Sequence, residues 1–578
     1  GIDFEGLRAT PDEAAIAHLP PDWVEVSAKG EPRVKKDHRD HKPTLVRVGP
    51  DAVERPGGRP FAWIPAPFRF CPSCGVEHSG RRSDYAKLNV FSSEGRSTST
   101  TILGLAAVRR LQDSDLPASA RKLLSFTDNR QDAALQAGHF NDFVDVGLLR
   151  GGLYRAVANA GPAGLGHAEL AHRVFDALDL PFEAYALDPT LILKARSDTE
   201  ALLREVLAYR LFQDLKRGWR IHLPNLEQVG LLRIAYPDLD EAVRHEPLWA
   251  DAHPALARAT SEERTRVAHV LLDLLRKHLV IHADPLREEH QESLKRRSHQ
   301  RLRDHWSVGD DERLEYAGVA LPRSSGVQYD SREWTFVSAR STFGRFVRRD
   351  GVLHAWEDGT NLEATDRLIA DLFEALRRAG FLTVAEDVRP KGDVPGYRLN
   401  AAVMRWQVGD GTPAEDPLER LRPPADDADG APGAEANRYF AAYYGDVANQ
   451  LAGIHAAEHT AQVPNETRLD REAAFREGDL PVLFCSPTME LGVDIASLNV
   501  VNLRNVPPTP ANYAQRSGRA GRSGQPALVF SYASSLSPHD QYFFKRQEAM
   551  VAGVVSAPRL DLGNEELVRA HVHAIWLA

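Results

Sequence analysis

The 578-residue sequence predicts an α/β fold in which a parallel sheet is interrupted by a large, mostly helical insertion. Apolar, strand-like runs alternate with helix-like segments over 96–155 and again over 437–548. This alternation is typical of a parallel sheet that is covered by helices. Helical apolar spacing dominates 156–310, and the Pro-, Gly- and Asp-rich stretch 408–436 indicates a flexible linker before the second sheet segment.

Composition and charge narrow the class of protein. Hydrophobic residues make up 43% and charged residues 26%, which argues against a disordered or fibrous chain. The net charge of -10 excludes a uniformly basic nucleic-acid coat but not local basic surfaces. No long uncharged apolar run occurs, so no membrane span is expected. Three cysteines cannot form a disulfide framework, which favours a reducing, cytoplasmic setting.

The other segments complete the predicted domain order. Residues 1–95 are polar and rich in Pro and Gly, and are expected to form a loop-rich lead-in. Within 311–407, a helix, Gly380 and two short strands around a turn have the pattern of a winged helix. Residues 549–578 are expected to begin a further C-terminal domain, with Asn564 as the N-cap of its first helix.

The two sheet segments have definable elements. In the first, TSTTILGLAAVRRLQ has helical spacing, and RKLLSFTDNRQDAALQAG predicts a strand, a turn and a helix. In the second, we expect strands within LPVLFC, NVVNLR and ALVFSYAS, and a helix that runs through NYAQRSGRAGR. Both segments are therefore expected to contribute to one sheet.

The segment Gln515–Arg522 (QRSGRAGR) carries the most specific chemical signal. Its arginines recur every three residues, so a helical turn can present two of them on one face. Gly518 and Gly521 permit close backbone approach to a neighbour or a ligand. A planar guanidinium stabilises charge that builds on a transferring phosphoryl group. A basic, Gly-rich surface helix is the alternative interpretation.

With Ser486–Ile495 (SPTMELGVDI) upstream, this segment resembles motifs V and VI of superfamily 2 helicases. In those motifs a T-x-x-x-G-x-D turn precedes a Q-x-x-G-R-x-G-R helix. The resemblance implies a RecA-like sheet, the second lobe of such an enzyme. It also implies that Thr488 contacts a nucleic-acid phosphate, that Gly492 closes on the nucleotide, and that Asp494 contacts the ribose of the nucleotide or the arginines.

The same resemblance assigns catalytic roles within the second motif. Arg519 and Arg522 would be the arginine fingers and would also bind the nucleotide. Gln515 would position the fingers or a water molecule.

Two further segments resemble helicase elements. Leu123–Ala134 (LLSFTDNRQDAA) resembles motif IV, which implies nucleic-acid contacts from Thr127 and Arg130. An ordinary α/β turn with an Asx cap is the alternative. His455–Val463 (HAAEHTAQV) resembles the element that precedes motif V, with Thr460 as a candidate phosphate contact.

The sequence lacks the motifs that hold the phosphates and Mg²⁺ of ATP. No G-x-x-x-x-G-K-[ST] occurs, and no apolar strand leads directly into an Asp-Glu pair. We therefore expect the first lobe to lie N-terminal to these residues in a longer protein. ATP and Mg²⁺ are the expected cofactors of the intact protein, and this chain alone is expected to be inactive.

Cys71 and Cys74 have the spacing of half a zinc knuckle. A structural zinc needs four ligands, and no second C-x-x-C is present. His38, His41 or His78 would have to complete the site, unless the other pair lies elsewhere in the protein. Zn²⁺ is thus a candidate cofactor, and a metal-free turn is the alternative.

Two basic clusters are candidate DNA contacts, although such clusters are often solvated helix faces. Lys295–Arg303 holds five Lys or Arg residues in nine, and the second cluster surrounds Phe343 and Phe346. Interleaved aromatic rings and arginines suit base stacking and phosphate contact. The candidate contacts are Arg296, Arg297, Arg345 and Arg348.

The stretch from about 96 to 535 is similar to the C-terminal half of large bacterial DEAD/DEAH-box helicases. The nearest groups are the Lhr-like helicases and those with a cysteine-rich C-terminal domain, including the MrfA repair type and the DISARM DrmA defence type. This similarity implies ATP-driven translocation on DNA, with a single strand and a duplex junction as ligands. It also implies protein partners in a repair or defence complex. A non-catalytic DNA-binding scaffold and an RNA helicase are the alternatives.

Overall fold

The computed structural model divides the chain into two compact units. Gly1–Asn89 and Asp145–Ala452 form the insertion unit, and Val90–Val144 and Gly453–Ala578 form the sheet unit. The structure describes residues 19, 23–26, 32–34, 36–42, 44–49, 54–55, 57–63, 94–216, 223–309, 312–322, 334–349, 351–357, 361–387, 395–414, 416–418, 436–486, 498–521, 526–534, 537–554 and 563–577.

The described residues contain the following strands and α-helices. The strands are β1 (Val24–Val26), β2 (Pro32–Val34), β3 (Thr44–Val48), β4 (Arg59–Trp63), β5 (Leu123–Phe126), β6 (Leu165–Gly166), β7 (Leu232–Ala235), β8 (Ile281–His282), β9 (Val319–Leu321), β10 (Trp334–Phe336), β11 (Leu382–Val384), β12 (Tyr397–Asn400), β13 (Arg405–Val408), β14 (Ala456–His459), β15 (Val482–Cys485), β16 (Val500–Leu503) and β17 (Leu528–Ser531). The helices are α1 (Glu94–Gln112), α2 (Arg130–Ala160), α3 (His167–Leu178), α4 (Phe182–Tyr185), α5 (Leu193–Gln213), α6 (Leu239–Arg244), α7 (Glu246–Trp249), α8 (Pro254–Ala257), α9 (Ser261–Lys277), α10 (Glu288–Arg301), α11 (Thr342–Val347), α12 (Leu362–Arg378), α13 (Arg438–Ala442), α14 (Asn465–Glu477), α15 (Pro510–Ser517), α16 (Pro538–Phe544), α17 (Gln547–Val551) and α18 (Glu565–Leu577).

A parallel five-stranded sheet forms the centre of the sheet unit. Its strand order is β14-β15-β5-β16-β17. The strand that precedes the insertion lies between two strands that follow it, because Leu123 aligns with both Val482 and Val500. The predicted fold class, a RecA-like parallel sheet interrupted by a large insertion, is confirmed.

Apolar side chains on these strands build the core of the sheet unit. Leu124, Phe126, Leu483, Val501 and Leu503 are all buried in one cluster. Strands of a parallel sheet are covered on both faces, so their sequences are nearly continuous apolar runs. Helices α1, α14 and α15 pack against strands β5, β14 and β16 and provide this cover.

The insertion unit is mostly helical, as predicted. Its helices have strong local signals, and α9 is the clearest case, because Thr260 and Glu263 form a reciprocal capping box at its start. Basic residues Arg276 and Lys277 occupy its last turn, where they oppose the helix dipole. Four sheets complete the unit: one has the order β10-β9-β12-β11 with β8 paired to β12, one has the order β6-β13-β7, and two are the antiparallel pairs β1-β2 and β3-β4.

The predicted winged-helix elements are present locally. Helix α12 is followed by Gly380, whose φ of 84° is in the left-handed region that glycine tolerates, and then by the antiparallel pair β11 and β12. Strand β13 pairs with β6 and β7 and therefore belongs to a different sheet. The winged-helix assignment itself stays a prediction.

A close approach of two backbones is visible along the second half of α2. A Cβ atom added to Gly151 would lie 2.2 Å from the Cβ of Ala448, so only glycine fits there. Beside it, the buried Arg150 donates to Asp214 Oδ1 at 2.9 Å and 2.7 Å, and to the Tyr444 hydroxyl at 2.8 Å. Packing and a satisfied buried charge thus hold these segments together.

The last described helix, α18, begins as predicted. The Asn564 side chain accepts a hydrogen bond from the Leu567 N–H at 3.1 Å and so caps the helix. Among the described helices, none is both long and apolar enough to cross a membrane.

Candidate nucleotide and nucleic-acid site

The carboxyl ends of four sheet strands bring two of the predicted site residues, Thr127 and Thr460, to one edge. Thr127 follows β5, Thr460 follows β14, Ser486 follows β15 and Arg504 follows β16. These strands are parallel, so the residues that follow them lie along the same edge of the sheet. Open parallel sheets bind their ligands at this edge.

The turn after β5 is held by internal hydrogen bonds. The Thr127 hydroxyl donates to the carbonyl oxygens of Asn129 at 2.9 Å and Cys485 at 3.2 Å. The Asn129 side chain accepts from the Asp132 N–H at 2.8 Å, which is an Asx cap on α2. Arg130 is exposed in the first turn of this helix. Thr127 therefore stabilises the turn through its hydrogen bonds, and Arg130 faces solvent.

Helix α15, which carries the Q-x-x-G-R segment, is shorter than predicted. Thr509 caps it by accepting from the Asn512 N–H at 3.3 Å, and the helix ends at Ser517. The expectation that the helix continues to Arg522 is wrong, because Gly518 follows its last residue and Gly521 has a φ of 71°.

Because α15 ends at Ser517, Arg516 and Arg519 lie in different environments. Arg516 is in the helix and is 3% exposed, with its guanidinium 5.8 Å from the centre of the Phe126 ring. Arg519 is half-buried in the turn beyond the helix, and Gln515 is exposed. The expected pairing of two arginines on one helical face is therefore replaced by one buried arginine and one turn arginine.

Two arginines that sequence reasoning missed lie at the same edge. Arg504 is 7% exposed, donates from Nε to Gln136 Oε1 at 3.0 Å, and has Nη1 3.1 Å from Asp132 Oδ2. Arg96 donates to the Asn505 side chain at 3.1 Å. The position of Arg504 directly after a strand was a usable signal, whereas no sequence pattern marks Arg96.

The electrostatics of this edge favour an anion. Burial lowers the pKa of Arg504, Asp132 and Asp128 act to raise it, and neighbouring Arg96 lowers it further. Asp128 is exposed by surface area, yet desolvation by the groups around it raises its pKa against the influence of Arg516 and Arg96. Burial is the largest cause of the lowered pKa of Arg504, and the charges at this edge are those of three arginines and two carboxylates.

The element before motif V is also internally bonded. Thr460 is buried, and its hydroxyl donates to Glu458 Oε2 at 3.2 Å. The buried His459 has Nε2 2.7 Å from Glu472 Oε1, and Arg471 donates to the Glu458 carbonyl at 2.6 Å. These bonds fasten the end of β14 to helix α14.

Comparison with known proteins finds a family that matches part of this chain. Residues 436–524 match the family described as "Helicase conserved C-terminal domain". The chain therefore contains a segment that matches the C-terminal domain of helicases. The matched residues include strands β14, β15 and β16 and the arginine segment Gln515–Arg522.

One curated relative and two solved structures are similar to parts of this chain. Over 140 residues it is 39% identical to "Druantia protein DruE" of Escherichia coli (strain UMEA 4076-1), a match that covers 22% of this chain. The chain spans only 8% of the length of that relative. Two structures of S. cerevisiae Dbp5 bound to RNA and ADP BeF3 are 20% and 19% identical, cover 23% of this chain and 35% of theirs, and have TM-scores of 0.16.

Several predicted residues of the helicase site and of the zinc site lie outside the described residues. They are Thr488, Gly492, Asp494, Arg522, Cys71 and Cys74. Within the described part of the chain, no group of three His, Cys, Asp or Glu side chains is placed to hold a metal. The zinc prediction therefore finds no support among those residues. His38 instead stacks on Trp23, with ring centres 4.4 Å apart.

The four arginines predicted outside the helicase domain belong to the insertion unit. Arg296 is exposed on α10, and the neighbouring Arg297 is paired with Glu205. Arg345 is half-buried, and Arg348 donates to the Ala339 carbonyl at 2.7 Å.

The rings between these last two arginines are not available for stacking. Phe343 is 0% exposed and Phe346 is 4% exposed, so the expectation that they stack on bases is wrong. Spacing alone did not reveal that α11 turns both rings into the core.

Proposed function

We propose that this chain supplies the second RecA-like lobe of an ATP-driven DNA translocase. The observation that carries the proposal is the cation-rich sheet edge, where Arg504, Arg96 and Arg516 lie near two carboxylates. The turn that holds Arg519 follows α15. A turn arginine of this kind stabilises charge on a phosphoryl group in transfer.

The roles of individual residues follow from the helicase motifs. Arg519 and Arg522 act as arginine fingers, and Gln515 positions them. Gly492 and Asp494 contact the nucleotide. Mg²⁺ neutralises charge on the phosphates of ATP, and the first lobe supplies its ligands, because no Asp-Glu pair in this sequence follows an apolar strand.

Nucleic acid is bound through its backbone in this proposal. Thr488 and Arg130 contact phosphates, Thr127 and Thr460 shape the turns beside them, and the basic residues of the insertion unit add charge. The family resemblance supports DNA as the ligand. The family resemblance and the similarity to DruE together support a cytoplasmic role in phage defence with protein partners.

The proposal is tested by measuring ATP hydrolysis of the full-length protein with single-stranded DNA and with RNA of matched sequence. We expect DNA to stimulate turnover and RNA to do so much less. The 578-residue chain alone should show none, because it has no phosphate loop. A full-length protein that binds DNA without turnover would support a scaffold, and stimulation by RNA alone would support an RNA helicase.

The nucleic-acid contacts are separable by their salt dependence. Arg130→Ala should weaken DNA binding and reduce the slope of log affinity against log salt by roughly one, because one phosphate contact is lost. Thr488→Ala should weaken binding with little change in slope, because a hydroxyl is neutral. Arg569→Ala, a change at an exposed arginine on α18, is the matched control and should alter neither quantity.

A further inference from the structure

The guanidinium of Arg504 joins three segments of the sheet unit. Its Nε donates to Gln136 Oε1 at 3.0 Å, and its Nη2 donates to Ser97 Oγ at 3.4 Å. Its Nη1 lies 3.1 Å from Asp132 Oδ2. The backbone N–H of Arg504 donates to the Phe126 carbonyl at 3.0 Å, which fixes the residue beside the end of β5. One side chain thus connects the carboxyl end of β16 with the beginnings of α1 and α2.

The contact with Asp132 reaches the turn in which Arg130 lies. Asp132 Oδ2 also accepts a hydrogen bond from the Asn129 side-chain amide at 3.1 Å, and the Asp132 N–H donates to the oxygen of that amide at 2.8 Å. The Asn129 carbonyl accepts from the Thr127 hydroxyl at 2.9 Å. Arg130 stands between Asn129 and Asp132 in the chain, and its side chain is exposed. A series of contacts therefore leads from the buried Arg504 to the residues on both sides of Arg130.

Gln136 extends this network into α1. Its side-chain amide donates to the Ser97 carbonyl at 3.0 Å and to the Thr101 hydroxyl at 2.9 Å, while its oxygen accepts from Arg504. Gln136 and Thr101 are both fully buried. A buried polar network whose members bond to one another rigidifies the segments that it joins. The beginning of α2 is therefore held in a fixed position relative to the end of β16.

Holding the fold together does not require a buried arginine at this place. Arg504 is 7% exposed, and burial lowers its pKa more than the neighbouring Asp132 raises it. Replacing a buried charge pair by apolar residues of similar volume is often neutral or stabilising, so such a pair is weak evidence for a role in stability. The network lies instead at the carboxyl edge of the sheet, where open parallel sheets bind their ligands. Its position therefore favours a role in the geometry of the site.

We propose that Arg504 is a positioning residue that orients Arg130 towards a phosphate of the bound nucleic acid. The inference rests on the proposed function, in which Arg130 contacts the nucleic-acid backbone. Phosphate contacts depend on where the protein places its donors, so a displaced Arg130 loses affinity even though its charge is kept. Arg504 is buried and its guanidinium contacts Gln136, Asp132 and Ser97, so it acts through Arg130 rather than on the phosphate itself.

The test compares Arg504→Met with Lys122→Met in the full-length protein. Both variants replace a buried cation of the sheet unit, since Lys122 is 1% exposed and donates to the Arg476 carbonyl at 3.0 Å. Lys122 directly precedes β5 and therefore lies at the amino edge of the sheet, away from the proposed contacts. We expect Arg504→Met to weaken the affinity for single-stranded DNA about threefold or more. Lys122→Met should leave this affinity unchanged, although both variants lower the thermal stability.

A double-mutant cycle with Arg130→Ala separates positioning from direct contact. If Arg504 acts through Arg130, the double variant Arg130→Ala/Arg504→Met should bind DNA as tightly as Arg130→Ala does, with the same slope of log affinity against log salt. Additive losses of affinity, with a further fall of roughly one in the slope, would make Arg504 a phosphate contact and overturn the proposal. A DNA affinity of Arg504→Met equal to that of Lys122→Met would overturn it as well and leave a purely structural role.

Arg504→Lys provides the same comparison if Arg504→Met does not fold. Lysine keeps the positive charge but cannot reproduce the planar fork that contacts three side chains, so it should weaken DNA binding only when Arg130 is present. Wild-type affinity of the lysine variant would contradict the positioning role. An Arg130→Ala protein with wild-type affinity would refute the proposed phosphate contact and the role of Arg504 with it. Weaker binding by Arg130→Ala, but by neither Arg504 variant, would refute the positioning role alone.

Discussion

Both units bury arginine side chains, but they surround them differently. In the insertion unit, Arg276 lies 2.7 Å from Glu227 Oε2 and 3.0 Å from Asp273 Oδ1. Burial opposes its charge, yet these two carboxylates raise its pKa well above the ordinary value. In the sheet unit, burial lowers the pKa of Arg504, and the carboxylates of Asp132 and Asp128 only partly offset this effect, with Arg96 nearby.

This difference separates arginines that hold the fold from arginines that prepare a site. The charge of a buried arginine is neutralised when carboxylates pair with its guanidinium, so such an arginine does not require a ligand. An arginine whose charge is incompletely matched favours the approach of an anion such as a phosphate. Burial also lowers the pKa of Arg155 and Arg349 in the insertion unit, so the difference describes Arg276 and Arg504 and not the two units as wholes.

The largest loss of stability is expected when the buried arginine that is paired with two carboxylates, Arg276, is replaced. Arg276→Met should lower the free energy of unfolding by about 3–5 kcal/mol, because Glu227 and Asp273 would be left without their partner. Arg377→Met removes a similar pair with Glu374, but on the surface, and should cost less than about 1 kcal/mol. Urea unfolding of the 578-residue chain measures both. Equal effects would show that burial of the pair is unimportant.

Two glycines of the same helix should respond in opposite directions. Gly151→Ala should destabilise the chain by about 1–3 kcal/mol, because the new Cβ would lie 2.2 Å from Ala448 Cβ. Gly138→Ala, with no atom within 4 Å of the new Cβ, should stabilise it by about 1 kcal/mol through helix propensity. Thermal unfolding of both variants checks the signs, and a stabilised Gly151→Ala protein would contradict the close approach.

A smaller, pH-dependent contribution is expected at Glu263. Burial works against its charged form, but hydrogen bonds from the Thr260 N–H and from His354 lower its pKa to about 2. A lowered folded-state pKa gives stability that is present above pH 4.5, the ordinary value, and is lost as the pH falls towards 2. Glu263→Gln should cost about 1 kcal/mol at pH 7 and progressively less below pH 4.5. A difference that did not depend on pH would contradict this assignment.

The sequence predicted those features that depend on local patterns. The apolar runs of β5 and β15 and the helical spacing of the insertion were sufficient to predict an interrupted parallel sheet. The end of α15 was missed because the arginine period favoured a longer helix, whereas Gly518 ended it. Arg150 and Asp214, which are 64 residues apart, meet only in the folded chain, so no local pattern could reveal that pair. The buried rings of Phe343 and Phe346 were missed for the same reason.

The most direct test of the account measures DNA-stimulated ATP turnover of the full-length Arg519→Ala protein beside its thermal unfolding and its affinity for DNA. Because a finger acts on charge that builds in the transition state, kcat should fall by about 10² or more. Unfolding and DNA affinity should be nearly unchanged, and Arg519→Lys should not restore turnover, since a point charge cannot replace the planar guanidinium. Full ATP turnover with loss of DNA binding would contradict the account and make this turn a nucleic-acid surface.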